Sequence, residues 1–166
     1  MLTLSLALTL LLSGAPAGES RAAAPPAQGV LAPGNSLGGI RLGDTPATVR
    51  TRWGRAYTRC AICPRPTWLF ALRRGSAAGA AVSFRDGHVS GVFTIGVPRG
   101  WRTTRGLTLG DPADRVQRMY GVLPWSRCIG YGALSIRRPG AVSSIYTYGE
   151  SVYGFALTGP SEPVCQ

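Results

Sequence analysis

The four cysteines of this 166-residue chain are the side chains best suited to chemistry. Cys60 and Cys63 have the spacing of a redox dithiol or of half a zinc site, whereas Cys128 and Cys165 stand alone. Two prolines follow Cys63 closely and favour a rigid turn over the helix that a redox dithiol needs, and His88 is the only histidine. In an exported chain, disulfides are the simplest interpretation. Of the three pairings that four cysteines allow, we favour Cys60–Cys63 and Cys128–Cys165.

The seven acidic residues contain no carboxylate pair at a recognisable catalytic spacing. Asp44 and Asp111 precede candidate helices, where aspartate serves as an N-cap, and Asp86 precedes a glycine in a candidate turn. A single histidine beside that turn does not complete a nucleophile–base arrangement. We therefore expect a protein that is not an enzyme and that holds no cofactor and no metal.

All 18 basic residues are arginine, and the formal net charge is +11. Such a charge favours an anionic partner: a nucleic acid, a cell-wall polyanion, an anionic lipid or an acidic protein. The arginines are scattered along the chain, however, which is equally typical of a generally basic surface. Both interpretations stay open.

The apolar run at residues 2–12 has the length of a signal peptide and is too short to span a bilayer. We expect a signal peptide at residues 1–24, with cleavage near residues 17–24, followed by a Pro/Ala-rich tether at residues 25–34. The prediction is an extracellular, secreted protein without a membrane span, and a monomer.

An internal duplication organises the rest of the chain. The hexapeptide GIRLGD at residues 39–44 returns as GLTLGD at residues 106–111, and an aromatic residue followed by glycine comes nine residues after each aspartate. Repetition of this kind predicts two copies of one structural unit. We place the first unit at residues 35–98 and the second at residues 99–166.

Each unit begins with a short helix that ends at a glycine, Gly54 or Gly121, and continues with three candidate strands. Asp86-Gly87 and Gly149-Glu150 have the composition of hairpin turns. The predicted fold class is α+β, with two tandem helix-plus-three-strand units forming one antiparallel sheet that carries the short helices on one face.

The second hairpin leaves its register open. Alternation places Ile145 and Val152 on one face, and Tyr146, Tyr148, Tyr153 and Phe155 on the other. Either the expected register is wrong by one residue, or the aromatic face is exposed for a reason.

The repeated motif, its aromatic–glycine end and the three following strands resemble the repeat of the β-lactamase inhibitor protein. They are also similar to small outer-membrane assembly lipoproteins of the SmpA/OmlA (BamE) type, and the whole pattern resembles small secreted proteins of high-GC Gram-positive bacteria. The resemblance implies a concave sheet that presents aromatic side chains to a target protein, and a hairpin turn that enters it. The partner-binding residues implied here are Tyr131, Tyr146, Tyr148, Tyr153, Phe155, Arg85, Asp86 and His88.

Simpler interpretations compete with these roles, because tyrosine favours strands and Asp-Gly suits any tight hairpin. The function we expect is a secreted, non-catalytic protein-binding module, of which an inhibitor is a special case, with a secreted or envelope protein as its partner. The alternative is an arginine-rich envelope protein that binds an anionic polymer or surface. A structural envelope component without a tight soluble partner is a third interpretation.

Overall fold

The computed structural model describes residues 28–71, 78–96 and 100–165. The predicted signal peptide at residues 1–24 lies outside the described residues. The described parts contain two helices and eleven strands. They are β1 (Gln28–Ala32), β2 (Ser36–Leu37), α1 (Pro46–Trp53), β3 (Thr58–Arg59), β4 (Thr67–Ala71), β5 (Gly79–Arg85), β6 (His88–Ile95), β7 (Gly100–Thr103), α2 (Asp114–Tyr120), β8 (Trp125–Arg127), β9 (Gly132–Arg138), β10 (Ala141–Tyr148) and β11 (Ser151–Thr158).

The strands form two sheets. An eight-stranded antiparallel sheet has the order β3-β4-β5-β6-β11-β10-β9-β8, and a three-stranded sheet has the order β2-β1-β7. The predicted fold class, α+β with two helix-plus-three-strand units, is wrong, because 48% of the described residues lie in strands and only 12% in helices. The sequence analysis did not predict β3 and β8, the outermost strands of the large sheet, because they span only two and three residues. Strands of that length carry no periodic pattern of their own.

The small sheet also corrects the predicted tether. Strand β1 takes up residues 28–32, inside the stretch assigned to the tether, and pairs in parallel with β7. Leu31 of β1 is fully buried. The tether prediction is therefore wrong from residue 28 onward, because composition describes a segment's average and does not reveal the distant partner strand that orders it.

Both helices end where the sequence predicts. Gly54 and Gly121 cap α1 and α2 with positive φ angles of 85° and 75°, a conformation that glycine adopts without strain. The beginnings differ from the prediction. Thr45, not Asp44, is the N-cap of α1, and α2 begins after Ala113 without a side-chain cap.

The repeated Gly-Asp dipeptide ties each turn to a hairpin strand. Gly43 N–H donates to Val89 O and Val89 N–H donates to the carbonyl oxygen of Asp44, both at 2.8 Å. Residues 110–111 make the same two bonds with Val152, again at 2.8 Å. The two copies of the motif thus make the same long-range contacts.

The aspartate side chains close the turns that make these contacts. Asp44 Oδ2 accepts from Arg41 N–H at 2.9 Å, and Asp111 Oδ2 accepts from Thr108 N–H at 2.7 Å. Each carboxylate therefore bonds the amide three residues before it and fixes the turn rather than the start of the helix.

Both hairpins contain a β-bulge that changes which side chains face the core. Phe84 pairs with Val89 as predicted, but Ser90 is an extra residue on β6, so that Val82 pairs with Val92 instead of Gly91. One extra residue exchanges the two faces of a strand beyond it.

The core lies on the face of the large sheet that the helices and the small sheet cover, which we call the core face. At its centre the ring of Trp53 meets the rings of Phe70 and Trp101 edge-on, with centroid separations of 5.2 and 5.7 Å. The indole N–H of Trp53 donates to Gly38 O at 2.8 Å, so its polar group stays satisfied. Val116 of α2 belongs to the same cluster.

Candidate binding surfaces

The predicted aromatic residues of the second hairpin do not form one surface. Tyr153 is the extra residue of the bulge on β11, and beyond it Phe155 pairs with Ile145 on the core face. Phe155 is fully buried in the core, so its predicted role in partner binding is wrong. Tyr148 is exposed and Tyr153 half-buried, with ring centroids 5.6 Å apart.

Tyr146 lies on the opposite face of the sheet and is also fully buried. Its hydroxyl donates to Val164 O at 2.9 Å, and the half-buried ring of Tyr131 packs edge-on against it at 5.2 Å. Burial, and secondarily the nearby Tyr131, raises the pKa of Tyr146 well above its ordinary value of 10.0. Tyr146 is thus a protonated donor that holds the chain's own C-terminal segment, which corrects the prediction that it faces a partner.

The segment that covers Tyr146 is residues 159–165, which we call the C-terminal strap. At its start, Gly159 N–H donates to Ser90 O at 3.0 Å. At its end, Cys165 forms a disulfide with Cys128. The strap therefore returns across the face opposite the core and occupies part of the surface that the resemblance implied for a partner.

A buried carboxylate anchors the middle of the strap. Glu162 is 8% exposed and forms ion pairs with Arg65 and Arg85, the latter at 2.9 Å. Arg85 also donates to the hydroxyl of Ser161 at 3.1 Å. The two arginines compensate the charge of the buried Glu162, and losing them would leave that charge unpaired. Arg85, implied to contact a target, is bound to its own chain.

The other two residues implied for the hairpin turn, Asp86 and His88, are exposed. Asp86 has a positive φ of 49°, and His88 Nδ1 lies 2.9 Å from the Asp86 carbonyl oxygen. This is the local chemistry of a tight hairpin. A depression of about 650 Å³ beside the turn is lined by Trp68, Phe84 and the arginines bound to Glu162.

A different set of apolar side chains is exposed at the end of the second hairpin. Trp125, Ile129 and Tyr148 are 59%, 100% and 63% exposed. Trp125 and Tyr131 line a depression of about 470 Å³ together with Thr147 and neighbouring glycines. Ile129 lies between Cys128 and Gly130, which line the same depression. Tyr148 on β10 faces the side of the sheet opposite to Trp125 on β8. We call Trp125, Ile129 and Tyr131 the β8 patch.

The sequence prediction named Tyr131 and Tyr148 as partner-binding residues but did not name Trp125 or Ile129. A signal for Ile129 was present, because it lies between a disulfide cysteine and Gly130, whose φ of 81° marks a turn. A bulky side chain at such a loop tip has no neighbours to bury it.

The cysteine pairing in the structure is Cys60 with Cys63 and Cys128 with Cys165, as favoured from the sequence. Within residues 28–71, 78–96 and 100–165, no group of three histidine, cysteine or acidic residues could hold a metal ion. No helix in those ranges is long and apolar enough to cross a membrane.

The pKa of the Asp111 carboxylate departs from its ordinary value of 3.8. Burial alone would raise the pKa, but the hydrogen bonds from Thr108 and the charge of Arg115 outweigh it and lower the pKa. Arg115 lies 2.9 Å from Asp111 Oδ1. Asp111 is therefore held ionised as a turn anchor, not poised as a general acid.

No family model matches the chain, and no curated protein matches it. The fold is similar to that of a solved extracellular protein containing an SCP domain from Bacillus anthracis str. Ames, with a TM-score of 0.50 and 8% sequence identity. The match covers 72% of this chain and 44% of that protein, so this chain spans less than half of its length. At that identity the likeness concerns the fold alone. The two disulfides and the extracellular neighbour are compatible with a secreted protein.

Proposed function

We propose that this protein is a secreted, non-catalytic binding module that docks a partner protein through the β8 patch. The observation that carries the proposal is the exposure of Trp125, which lines one depression together with Tyr131, and of Ile129, which lies between two further lining residues. Single exposed apolar residues are ordinary, but a group of large ones on one surface marks an interaction site. Tryptophan and tyrosine give rigid contact area and are frequent in the energetically dominant centres of interfaces.

The charge of the module indicates the chemistry of its partner. The net charge is +11, and the exposed Arg127 lines the same depression as Trp125. A complementary surface has an apolar centre and an acidic rim, because opposite charges speed encounter while apolar contacts hold the complex. The resemblance to the β-lactamase inhibitor protein is in keeping with a protein target, although the target surface proposed here is not the aromatic set that the resemblance implied.

The test is affinity capture with the disulfide-bonded protein, using culture fluid and envelope extract of the producing organism and washing at low and then at high salt. The informative variant is Trp125→Ser with Ile129→Ser. The matched control is Ile62→Ser, since Ile62 is 95% exposed at the equivalent loop of the first half. Such surface changes should alter the free energy of unfolding by less than about 0.5 kcal/mol.

We expect one defined protein to be retained at high salt by the wild type and the Ile62→Ser variant, and lost with the double variant. Equal capture by the double variant would refute the β8 patch as the docking surface. Loss of every partner at high salt would favour the alternative, a binder of an anionic polymer, because contacts with polyanions weaken steeply as salt rises.

A further inference from the structure

The eight-stranded sheet has two edges, formed by β3 and β8. An edge strand directs every second N–H and C=O away from its neighbour, where an added strand can pair with them. The bonds between β8 and β9 show which residues of β8 do so. Ser135 N–H donates to Pro124 O at 3.0 Å, and Cys128 N–H donates to Tyr131 O at 2.9 Å.

These two bonds set the alternation along β8. Because bonded and non-bonded pairs alternate in an antiparallel ladder, Ser126 bonds to its partner on β9, whereas Trp125 and Arg127 occupy non-bonded positions. Trp125 and Arg127 therefore direct their N–H and C=O groups out of the sheet. Cys165 Sγ lies 3.7 Å from Arg127 O, so the strap adjoins the edge at that end. Among the described residues, no backbone group bonds to Trp125 N–H, Trp125 O or Arg127 N–H.

The two edges differ in how much backbone they offer. The bonds at Pro124 and Cys128 extend the β8–β9 ladder to residues 124–128. The nitrogen of Pro124 faces β9, so its missing N–H removes an inward bond and leaves the outward groups of β8 intact. Strand β3, by contrast, spans only Thr58–Arg59 and runs directly into the Cys60–Cys63 disulfide. A very short edge strand is one way in which proteins prevent strand addition.

The side chains of Trp125 and Arg127 give this edge a chemical preference. They are two residues apart and so lie on the same face of β8. The Trp125 ring lies against Gly132, where an added Cβ would be 2.7 Å from Trp125 Nε1, and more than half of the tryptophan stays exposed. Arg127 is also exposed, and in the described part of the chain it forms no ion pair. An apolar and a positively charged side chain therefore stand side by side along the open edge.

We propose that β8 accepts an extended segment of a partner protein as a ninth strand, with an acidic side chain beside Arg127 and an apolar one beside Trp125. This proposal rests on the docking function of the β8 patch and names the form of the partner. All pairs in the large sheet are antiparallel, so in the added strand the acidic residue comes two residues before the apolar one. The occupant is not a second copy of this chain, because two chains that each carry a net charge of +11 repel each other.

The test is an NMR titration of the disulfide-bonded, nitrogen-15-labelled protein with a threonine-rich peptide that contains the sequence Glu-Thr-Val. In the free protein, the outward amides of Trp125 and Arg127 should exchange with solvent much faster than the inward amide of Ser126. The peptide at millimolar concentration should shift the resonances of β8 and slow the exchange of the two outward amides. No binding at that concentration overturns the proposal.

N-methylated peptides distinguish strand pairing from contact between side chains alone. A methyl group on the valine nitrogen removes the N–H that bonds to Trp125 O and should weaken binding about tenfold. A methyl group on the threonine between glutamate and valine leaves the pairing intact, because that N–H points away from β8. Equal binding of the two methylated peptides would overturn strand addition. The docking function would still stand if affinity capture is lost with Trp125→Ser and Ile129→Ser, so the two failures are distinguishable.

Charge variants test the acidic side chain of the partner. Arg127→Gln should weaken binding of the peptide about threefold, as expected for an exposed ion pair. The matched control Arg59→Gln removes an exposed arginine from the other edge strand and should leave the affinity unchanged. Equal weakening by both variants would show non-specific attraction to the net charge and overturn the acidic partner. A doubled mass of the free chain in analytical ultracentrifugation would assign the edge to a second copy and overturn the choice of occupant.

Discussion

The two halves of the molecule, α1 with β3–β6 and α2 with β8–β11, share an order of elements but treat their outer edges in opposite ways. In the first half, Tyr57 stacks on Trp68 with ring centroids 3.9 Å apart, and the guanidinium of Arg50 lies 5.4 Å from the same ring. In the second half, Trp125 on the outermost strand is 59% exposed. One edge thus covers its aromatic side chains internally, whereas the other leaves them available to a partner.

The halves differ in their disulfides as well. Cys60 and Cys63 staple one loop to itself, whereas Cys128 reaches Cys165 and holds the C-terminal strap across the sheet. The repeated motif therefore builds the same order of helix and strands in both halves, whereas the loops after β3 and β8 carry disulfides of different reach.

The largest contrast between the halves should appear when the disulfides are removed. Replacing Cys128 and Cys165 by serine should lower the free energy of unfolding by about 4 kcal/mol, against about 2 kcal/mol for Cys60 and Cys63, since the loss grows with loop length. The sequence separations are 37 and 3 residues. Urea denaturation of the two double variants measures these changes. Equal losses of unfolding free energy would contradict the expectation that the disulfide closing the longer loop stabilises the protein more.

We expect a smaller difference in stability where β6 of the first half pairs with β11 of the second half, which we call the seam. Gly91 of β6 and Gly154 of β11 each follow directly after the extra residue of a bulge. An added Cβ at Gly154 would lie 2.2 Å from the backbone oxygen of Thr94, whereas at Gly91 its nearest neighbour is Thr158 Cγ2 at 3.5 Å. Gly154→Ala should cost about 3 kcal/mol of unfolding free energy through overpacking. Gly91→Ala should change it by less than about 1 kcal/mol.

Thermal and urea unfolding of the two glycine variants provide the measurement. If both substitutions cost the same, the bulges do not place the two glycines in different surroundings, and the description of the seam is incorrect.

The smallest expected effect concerns the strap. Tyr146→Phe removes the bond to Val164 O and should lower the free energy of unfolding by about 1 kcal/mol at neutral pH. The pKa of Tyr146 is raised in the folded state, so above its ordinary value of 10.0 the unfolded chain releases this proton while the folded chain keeps it. The free energy of unfolding of the wild type should therefore fall as the pH rises past 10, and that of the Tyr146→Phe variant should fall less.

Chemical denaturation at several pH values on either side of 10 tests this, with Tyr148→Phe as the matched control, since Tyr148 is exposed and its substitution should leave the alkaline loss intact. If the free energy of unfolding of the wild type and of Tyr146→Phe depended on pH in the same way, Tyr146 would not be the source of the alkaline loss.

The fold could be predicted from the sequence where local chemistry decides it. The helix ends at Gly54 and Gly121 and the hairpin turn at Asp86-Gly87 are where the sequence places them, because each depends on glycine's freedom to adopt a positive φ. The fold class could not be predicted, because the pairing of β1 with β7 joins segments about 70 residues apart that carry no common pattern.

The candidate sites were less predictable than the fold. Trp125 and Ile129 were not among the predicted partner-binding residues, because exposure depends on which strands lie beside a residue. The C-terminal strap brings Glu162 to Arg65 and Arg85, which belong to the first half of the molecule. Sequence spacing alone gives no sign that these residues meet.

What the sequence by itself determined are the local features: the repeated Gly-Asp motif, the glycine ends of the helices, the tight turns and the preferred pairing of the cysteines. What only the tertiary structure decided is which way the side chains of the strands face. A single extra residue, Tyr153, places Phe155 in the core, and the strap buries Tyr146 on the other face. The physical reason is that local conformational preference acts within a few residues, whereas strand register and burial depend on partners that are distant in the chain.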